Sequence, residues 1–288
     1  MNEKTILYQI TETSKFMMSF VLITKNDNAI VIDGGRKEDM PLLKKYIGGR
    51  HISAWILTHG HFDHISGFAY EFKRNGLADF DIEKVYCHFP PYYELVGKTD
   101  VPWKEYFDRE LAELYENFTQ FEPQVSHLVH KVNQGERINI DECEIEFIFC
   151  YHDGLFSNLL NDSSLVFKIT TPNKSVLFLG DLGPKGGDIL YDESRDKLKA
   201  DIVQMAHHGH MNVGMEVYAS IMPDTCLWCC ADWLYNEPEI PDYLKDREQL
   251  RNADRERMYG TAVTRKWMDI LGVKNHLVTK DGTNEIEL

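Results

Sequence analysis

Apolar residues in the first part of the chain fall in short, nearly continuous runs at 6–10, 18–24 and 29–33, the last ending in Gly34-Gly35. Runs of this length, bounded by turn residues, predict β-strands. A helix is expected over about 40–47, and it leads to the apolar run Ala54-Trp55-Ile56-Leu57. Over 65–75 the spacing changes, because Ile65, Phe68, Ala69 and Phe72 recur at helical intervals. The segment Thr58-His59-Gly60-His61-Phe62-Asp63-His64 thus lies where a strand hands over to a helix. A further strand is expected over 85–89.

The second half repeats this style. Strand-like runs at 143–151, 165–171, 176–180, 202–206 and 225–231 alternate with a helical stretch at 189–198, and the tail reads as a helix over 259–271 followed by strands at 276–279 and 285–288. Between 90 and 124 lies a stretch rich in Tyr, Phe, Trp and Glu, with a two-faced helix expected over 103–121. Short strands followed by single helices in both halves predict two stacked sheets with helices outside, an αββα four-layer sandwich of the α+β class. The expectation is one domain over 1–288, with a partly helical insertion at about 90–124 beside the site.

Composition narrows the function. A hydrophobic content of 43% and an aromatic content of 12% suffice for a large core. The net charge of −15, from 46 acidic and 31 basic residues, argues against generic nucleic-acid binding through a broad basic surface. Six cysteines without regular spacing, mostly in apolar runs, read as reduced, buried thiols, and Cys226-Leu227-Trp228-Cys229 as core packing rather than half a zinc knuckle. The N-terminus shows no secretory signal and no run is long enough to span a bilayer, so a cytoplasmic protein without membrane attachment is expected.

The chemistry concentrates at the histidine cluster. His59 and His61, two apart in an extended loop, present both rings on one side and can grip one metal ion. Asp63 and His64, where the helix begins, can turn toward a second ion about 3.5 to 4 Å away. An H-x-H-x-D-H pattern has a chance probability of about 10⁻⁵ at any start, so a run of solvated turn histidines is a poor explanation.

These residues resemble the metallo-β-lactamase superfamily. Asp33, in Val31-Ile32-Asp33-Gly34-Gly35, matches the family's first motif, where a carboxylate supports the ligand loop; Thr58 to Gly67 matches the second. Asp181, closing the run Leu177-Phe178-Leu179-Gly180, matches the aspartate that bridges the two ions, and His207-His208-Gly209 matches the last motif, which completes the second site. A narrower resemblance is to the metallo-β-lactamase-like domain of bacterial DNA-uptake channel proteins and its stand-alone relatives, carried by Asn161-Asp162-Ser163-Ser164-Leu165-Val166, Gly180-Asp181 and His207-His208-Gly209-His210. Two departures stand out. The third-motif histidine is missing just before Ser164, where Asn161 or Asp162 stands, with His152 as the other candidate, and His210 replaces the usual serine.

The resemblance implies a hydrolase with two divalent ions, zinc or alternatively manganese, held by His59, His61, Asp63, His64, Asp181, His207 and His208. A dinuclear-metal-activated hydroxide, oriented by Asp63, would attack a small-molecule ester or phosphodiester, and His210 would protonate the leaving group. Two alternatives compete. One is an iron-dependent oxidoreductase on the same fold, a branch that usually carries Glu where His61 stands. The other is a metal-binding module without turnover.

Overall fold

The structure is a computed structural model that describes residues 2–90, 127–151, 159–242 and 259–288. Fourteen strands are described: β1 (Ile6–Gln9), β2 (Ser19–Ile23), β3 (Ala29–Asp33), β4 (Ile52–Ile56), β5 (Val85–Cys87), β6 (Val129–Lys131), β7 (Arg137–Ile140), β8 (Cys143–Phe149), β9 (Val166–Thr170), β10 (Ser175–Phe178), β11 (Ile202–Gln204), β12 (Thr225–Trp228), β13 (Asn275–Val278) and β14 (Asn284–Glu287). They form two seven-stranded sheets, ordered β14-β1-β2-β3-β4-β5-β6 and β13-β12-β11-β10-β9-β8-β7. Each sheet is antiparallel at one end and parallel at the other, the change falling after β3 in the first and after β10 in the second. Those two strands deliver Asp33 and Asp181 to the site.

The alternation of side chains builds two cores from the same strands. Phe20 pairs with Ile32, and Leu22 with Ile30, across β2 and β3; their side chains join Phe147, Phe167 and Phe178 of the second sheet in an inter-sheet layer. Phe20 meets Phe178 edge to face at 5.1 Å, closing the two sheets on each other. The intervening residues Val21, Val31 and Trp55 face outward into helices. Because both faces are covered, β2, β3 and β4 are buried at every position, which is why they read as unbroken apolar runs.

The helices are α1 (Met40–Ile47), α2 (Phe62–Asn75), the single turn α3 (Leu159–Asp162), α4 (Pro184–Ser194), α5 (Met215–Ile221), the single turn α6 (Asp232–Tyr235) and α7 (Thr261–Leu271). Leu43 of α1 and Phe68 of α2 pack with Val31 and Trp55, while Leu190, Val217 and Met268 of α4, α5 and α7 pack with Val203 and Cys226, giving the expected αββα arrangement. Helix α2 starts three residues before its apolar periodicity does. Helix α4 starts at Pro184, a residue suited to a first helical turn and earlier than the expected 189–198, and at Ser194 it passes into a 3₁₀ turn, Arg195–Lys197, that carries it close to the expected end. All six cysteines are free and buried, and burial pushes the Cys226 thiol up to about 12. No helix among the described residues is long and apolar enough to cross a membrane. Beyond Pro90, the insertion expected at about 90–124 lies outside the described residues, as does His152.

Candidate metal centre

Strand β3 ends in Asp33, whose φ of 54° turns the chain and whose backbone oxygen accepts the indole N–H of Trp55 at 2.8 Å. Its buried carboxylate accepts three hydrogen bonds: from the Thr58 backbone N–H at 2.8 Å, the Thr58 hydroxyl at 2.8 Å and Nδ1–H of His64 at 2.7 Å. Burial pushes the Asp33 carboxyl up, and His64 and Thr58 oppose it. With its proton committed to Asp33, Thr58 Oγ1 is left to accept Nδ1–H of His59, 3.1 Å away. One carboxylate thereby fixes the tautomer of two histidines, leaving the Nε2 lone pair of each for a ligand. Thr58 lies within the motif, but nothing in its spacing signals this relay.

Asp63 and His64 lie in the first turn of α2. The helix is seated by the Gly67 N–H, which donates to the Gly35 carbonyl at 2.9 Å. A Cβ on Gly67 would lie 2.4 Å from the Gly34 carbonyl oxygen, so only glycine lets the helix come this close.

Two further loops complete the site. Gly180 follows β10 with a φ of 56°, and the Asp181 N–H donates to Ser164 Oγ at 3.0 Å. In the turn Ala206–Gly209, His207 and His208 both adopt left-handed backbone, with φ of 47° and 55°. Such conformations cost about 1 to 3 kcal/mol each and persist where the surroundings enforce them. Here the His207 N–H donates to the Gly180 carbonyl at 3.1 Å, and His208 Nδ1–H to the Cys229 carbonyl at 2.7 Å.

These loops bring six of the expected ligands together. Asp63, His64, Asp181 and His208 form one group, and His59, His61 and Asp181 a second; within each, the ligand atoms lie within 4.8 Å of one another and every residue is buried. Nε2 of His208 lies 3.1 Å from Asp63 Oδ2 and 3.4 Å from Asp181 Oδ2, and Nε2 of His64 lies 3.2 Å from Asp181 Oδ1. Nε2 of His59 is 2.9 Å from Nδ1 of His61 and 3.8 Å from Asp181 Oδ2. Asp181 is common to both groups.

The remaining expected residues stand apart from these groups. His207 points Nε2 at the Asn161 side chain, 3.2 Å away. Asp162 is spent on the fold, because its Oδ1 accepts the Gly186 N–H in the first turn of α4 at 3.0 Å. His210 lies with its ring 4.4 Å from that of His207 and its Nδ1 3.4 Å from Glu237 Oε2. Glu237 is buried and was not signalled by any motif.

Does the donor set fit a metal pair? His64 Nε2 and Asp181 Oδ1 are buried and face each other at 3.2 Å as an ion pair, with no aligned hydrogen bond to each other or to any other described residue, and a cation bound between them would engage both atoms. Burial opposes ionisation of Asp63 and Asp181, but His208 and His64 outweigh it and hold both carboxyls below their ordinary range. Burial likewise opposes charge on His64 and His208; Asp181, with Asp33 or Asp63, overcomes it and raises His208 to about 9 and His64 well above its usual value. Burial and the neighbouring His64 keep His59 neutral. Protons on His64 and His208 thus balance the buried carboxylates, a role that divalent ions would take over with proton release.

Residues 16–216 match the family described as the metallo-beta-lactamase superfamily, and the chain belongs to it. Among curated proteins none matches the sequence. The fold is similar to that of the metallo-beta-lactamase fold protein YhfI from Bacillus subtilis, with a TM-score of 0.56 at 12% identity over 98% of this chain and 100% of that one. It is similar also to CmlA, a diiron beta-hydroxylase from Streptomyces venezuelae, with a TM-score of 0.56 at 12% identity, covering 100% of this chain and 55% of the hydroxylase. This chain therefore spans about half the length of that enzyme. At such identities the likeness concerns the fold alone.

Proposed function

We propose that the chain is a dinuclear metal-dependent hydrolase acting on an ester bond, with phosphodiesters as the leading substrate class. One observation carries this reading: two buried ligand groups share the carboxylate of Asp181. Two divalent ions held there, zinc or alternatively manganese, would lower the pKa of a water toward neutrality and polarise the bond under attack. His59, His61 and Asp181 would hold the first, and Asp63, His64, His208 and Asp181 the second.

The protein's own groups supply the rest. Asp63, in the first turn of α2 beside the second group, would be the acceptor that orients the attacking water. His210, with Nδ1 3.4 Å from Glu237 Oε2, would deliver a proton to the leaving group. Phe16 packs edge-on to His208 at 5.0 Å and in turn against Trp233 at 5.8 Å. Trp233 is 58% exposed, so an aromatic wall runs from the ligands to solvent and suits a substrate with an apolar group beside the scissile ester. The phosphodiester preference draws on the resemblance of residues 161–166, 180–181 and 207–210 to the DNA-uptake group, and the net charge of −15 favours small substrates over polymers.

The fold's likeness to a diiron beta-hydroxylase makes iron oxidoreductase chemistry the competing reading. Protein reconstituted separately with zinc, manganese or iron, and assayed against aryl phosphodiesters and carboxylic esters, tests the choice. Turnover of an ester with zinc or manganese under anaerobic conditions is expected. Activity confined to iron and dependent on dioxygen would replace the proposal with the oxidoreductase. Less than about half an equivalent of any divalent metal after reconstitution would remove its basis.

A further inference from the structure

We infer that Asn161 is a ligand of the first ion through its amide oxygen, with His207 as the positioning residue that aims it; this rests on the dinuclear reading above. The first group offers two imidazoles and a carboxylate that it shares with the second, so a further protein donor would hold its ion more firmly.

The hydrogen bonds fix which way the Asn161 amide faces. Nδ1 of His207 lies 3.2 Å from the Met211 carbonyl, which can only accept, so Nδ1 carries the ring proton and Nε2 the lone pair. The amide nitrogen of Asn161 can only donate, so the ring nitrogen that faces it must accept. Nε2 therefore accepts from Asn161 Nδ2 at 3.2 Å, and the amide oxygen is turned the other way. Asn161 is only 1% exposed, and that oxygen has no hydrogen-bond partner among the described residues. Both ends of this pair are tied to the backbone at Gly180 and Asp181, the turn that carries the shared carboxylate. The Ser164 N–H donates to the Asn161 carbonyl at 2.9 Å while Ser164 Oγ accepts the Asp181 N–H at 3.0 Å, and the His207 N–H binds the carbonyl of Gly180 at 3.1 Å.

A buried amide oxygen without a hydrogen-bond partner among the described residues, on a segment tied to the turn that carries Asp181, is what a cation site needs. An amide oxygen is a harder donor than the imidazole it replaces, and oxygen donors suit manganese and magnesium better than nitrogen-rich sets do. The first site should therefore favour zinc over manganese less strongly than a three-imidazole site would.

Calorimetric titration of metal-stripped protein with zinc and with manganese, together with elemental counting of bound ions, tests this. Wild-type protein should bind two ions. Asn161→Ala should keep the second and bind the first at least about tenfold more weakly, Asn161→Asp should keep both, and His207→Ala should weaken the first site by about 10- to 100-fold. Asn161→His should raise the ratio of zinc to manganese affinity at the first site by about tenfold or more. Two ions bound with unchanged affinities in Asn161→Ala would overturn the inference. Should that variant fail to fold, an unchanged zinc-to-manganese ratio in Asn161→His would overturn it equally. Wild-type protein that binds one ion or none contradicts the dinuclear reading on which the inference rests, whereas two ions in wild-type protein with unaltered affinities in the Asn161 variants contradict this inference alone.

Discussion

Nδ1 of His64 donates to Oδ2 of Asp33 across 2.7 Å, with both side chains wholly buried. The same carboxylate holds Thr58, which holds His59, so one residue at the end of β3 orients a donor for each ligand group. In Asp33→Asn the amide can no longer accept at both oxygens, and His64 or Thr58 loses a partner. Metal affinity should fall about 10- to 100-fold by calorimetry, and the metal-free protein should lose about 1 to 3 kcal/mol in denaturant unfolding. Unchanged affinity would reduce Asp33 to a turn residue.

Under the proposed mechanism Asp63 and His210 would divide the labour. Asp63→Ala should lose bound metal and several orders of magnitude in turnover, since ligand and water acceptor go together. His210→Ala should keep its metal and lose about 10² to 10⁴ in rate, the usual range for a lost general acid. Full metal and full turnover in Asp63→Ala would contradict the mechanism. Metal loss confined to His210→Ala would make His210 a ligand.

The metal-free protein should weaken in mild alkali. The folded pKa of His208 is raised to about 9 from an ordinary 6.5, so the native state favours its protonated form. The stability it supplies is complete below about 6.5 and is lost as pH rises through 9. Asp63 and Asp181 act in the opposite sense: their depressed values supply stability that is complete above the ordinary carboxylate range and is lost as pH falls from that range toward their lower folded values. The Tm of metal-free protein should thus decline between pH 6.5 and 9, and a bound divalent ion should remove that decline. A flat Tm over this window contradicts the charge assignment.

Trp233 should govern substrate choice rather than chemistry. Trp233→Ala should raise KM for an aryl ester roughly three- to tenfold and leave that for the methyl analogue unchanged, as loss of one aromatic contact implies. Equal effects on both substrates would place Trp233 outside the binding wall.

Much of this could be read before folding was considered, and the exceptions have physical causes. Strands β2, β3 and β4 announce themselves because both faces are covered. Strands β6 and β7 were not expected; they are edge strands of partly exposed residues, whose apolar content is too slight to mark them. Helix α4 hid its first turn behind Gly186-Gly187, small because they approach Leu182 and Val213 closely. The ligand run was visible because its spacing is local. Asn161 and Asp162 are adjacent and equally plausible on spacing; only the tertiary hydrogen bonds to His207 and Gly186 tell them apart. Glu237 reaches His210 from the loop after α6 without any local signal.

The central claim is that Asp181 joins two metal sites. Anomalous scattering at the metal edge, from crystals of the reconstituted protein, measures this directly. Two peaks flanking the Asp181 carboxylate, about 3.5 to 4 Å apart, are expected, one beside His59 and His61 and the other beside Asp63, His64 and His208. A single peak, or a pair of peaks that leaves Asp181 unbound, would contradict it.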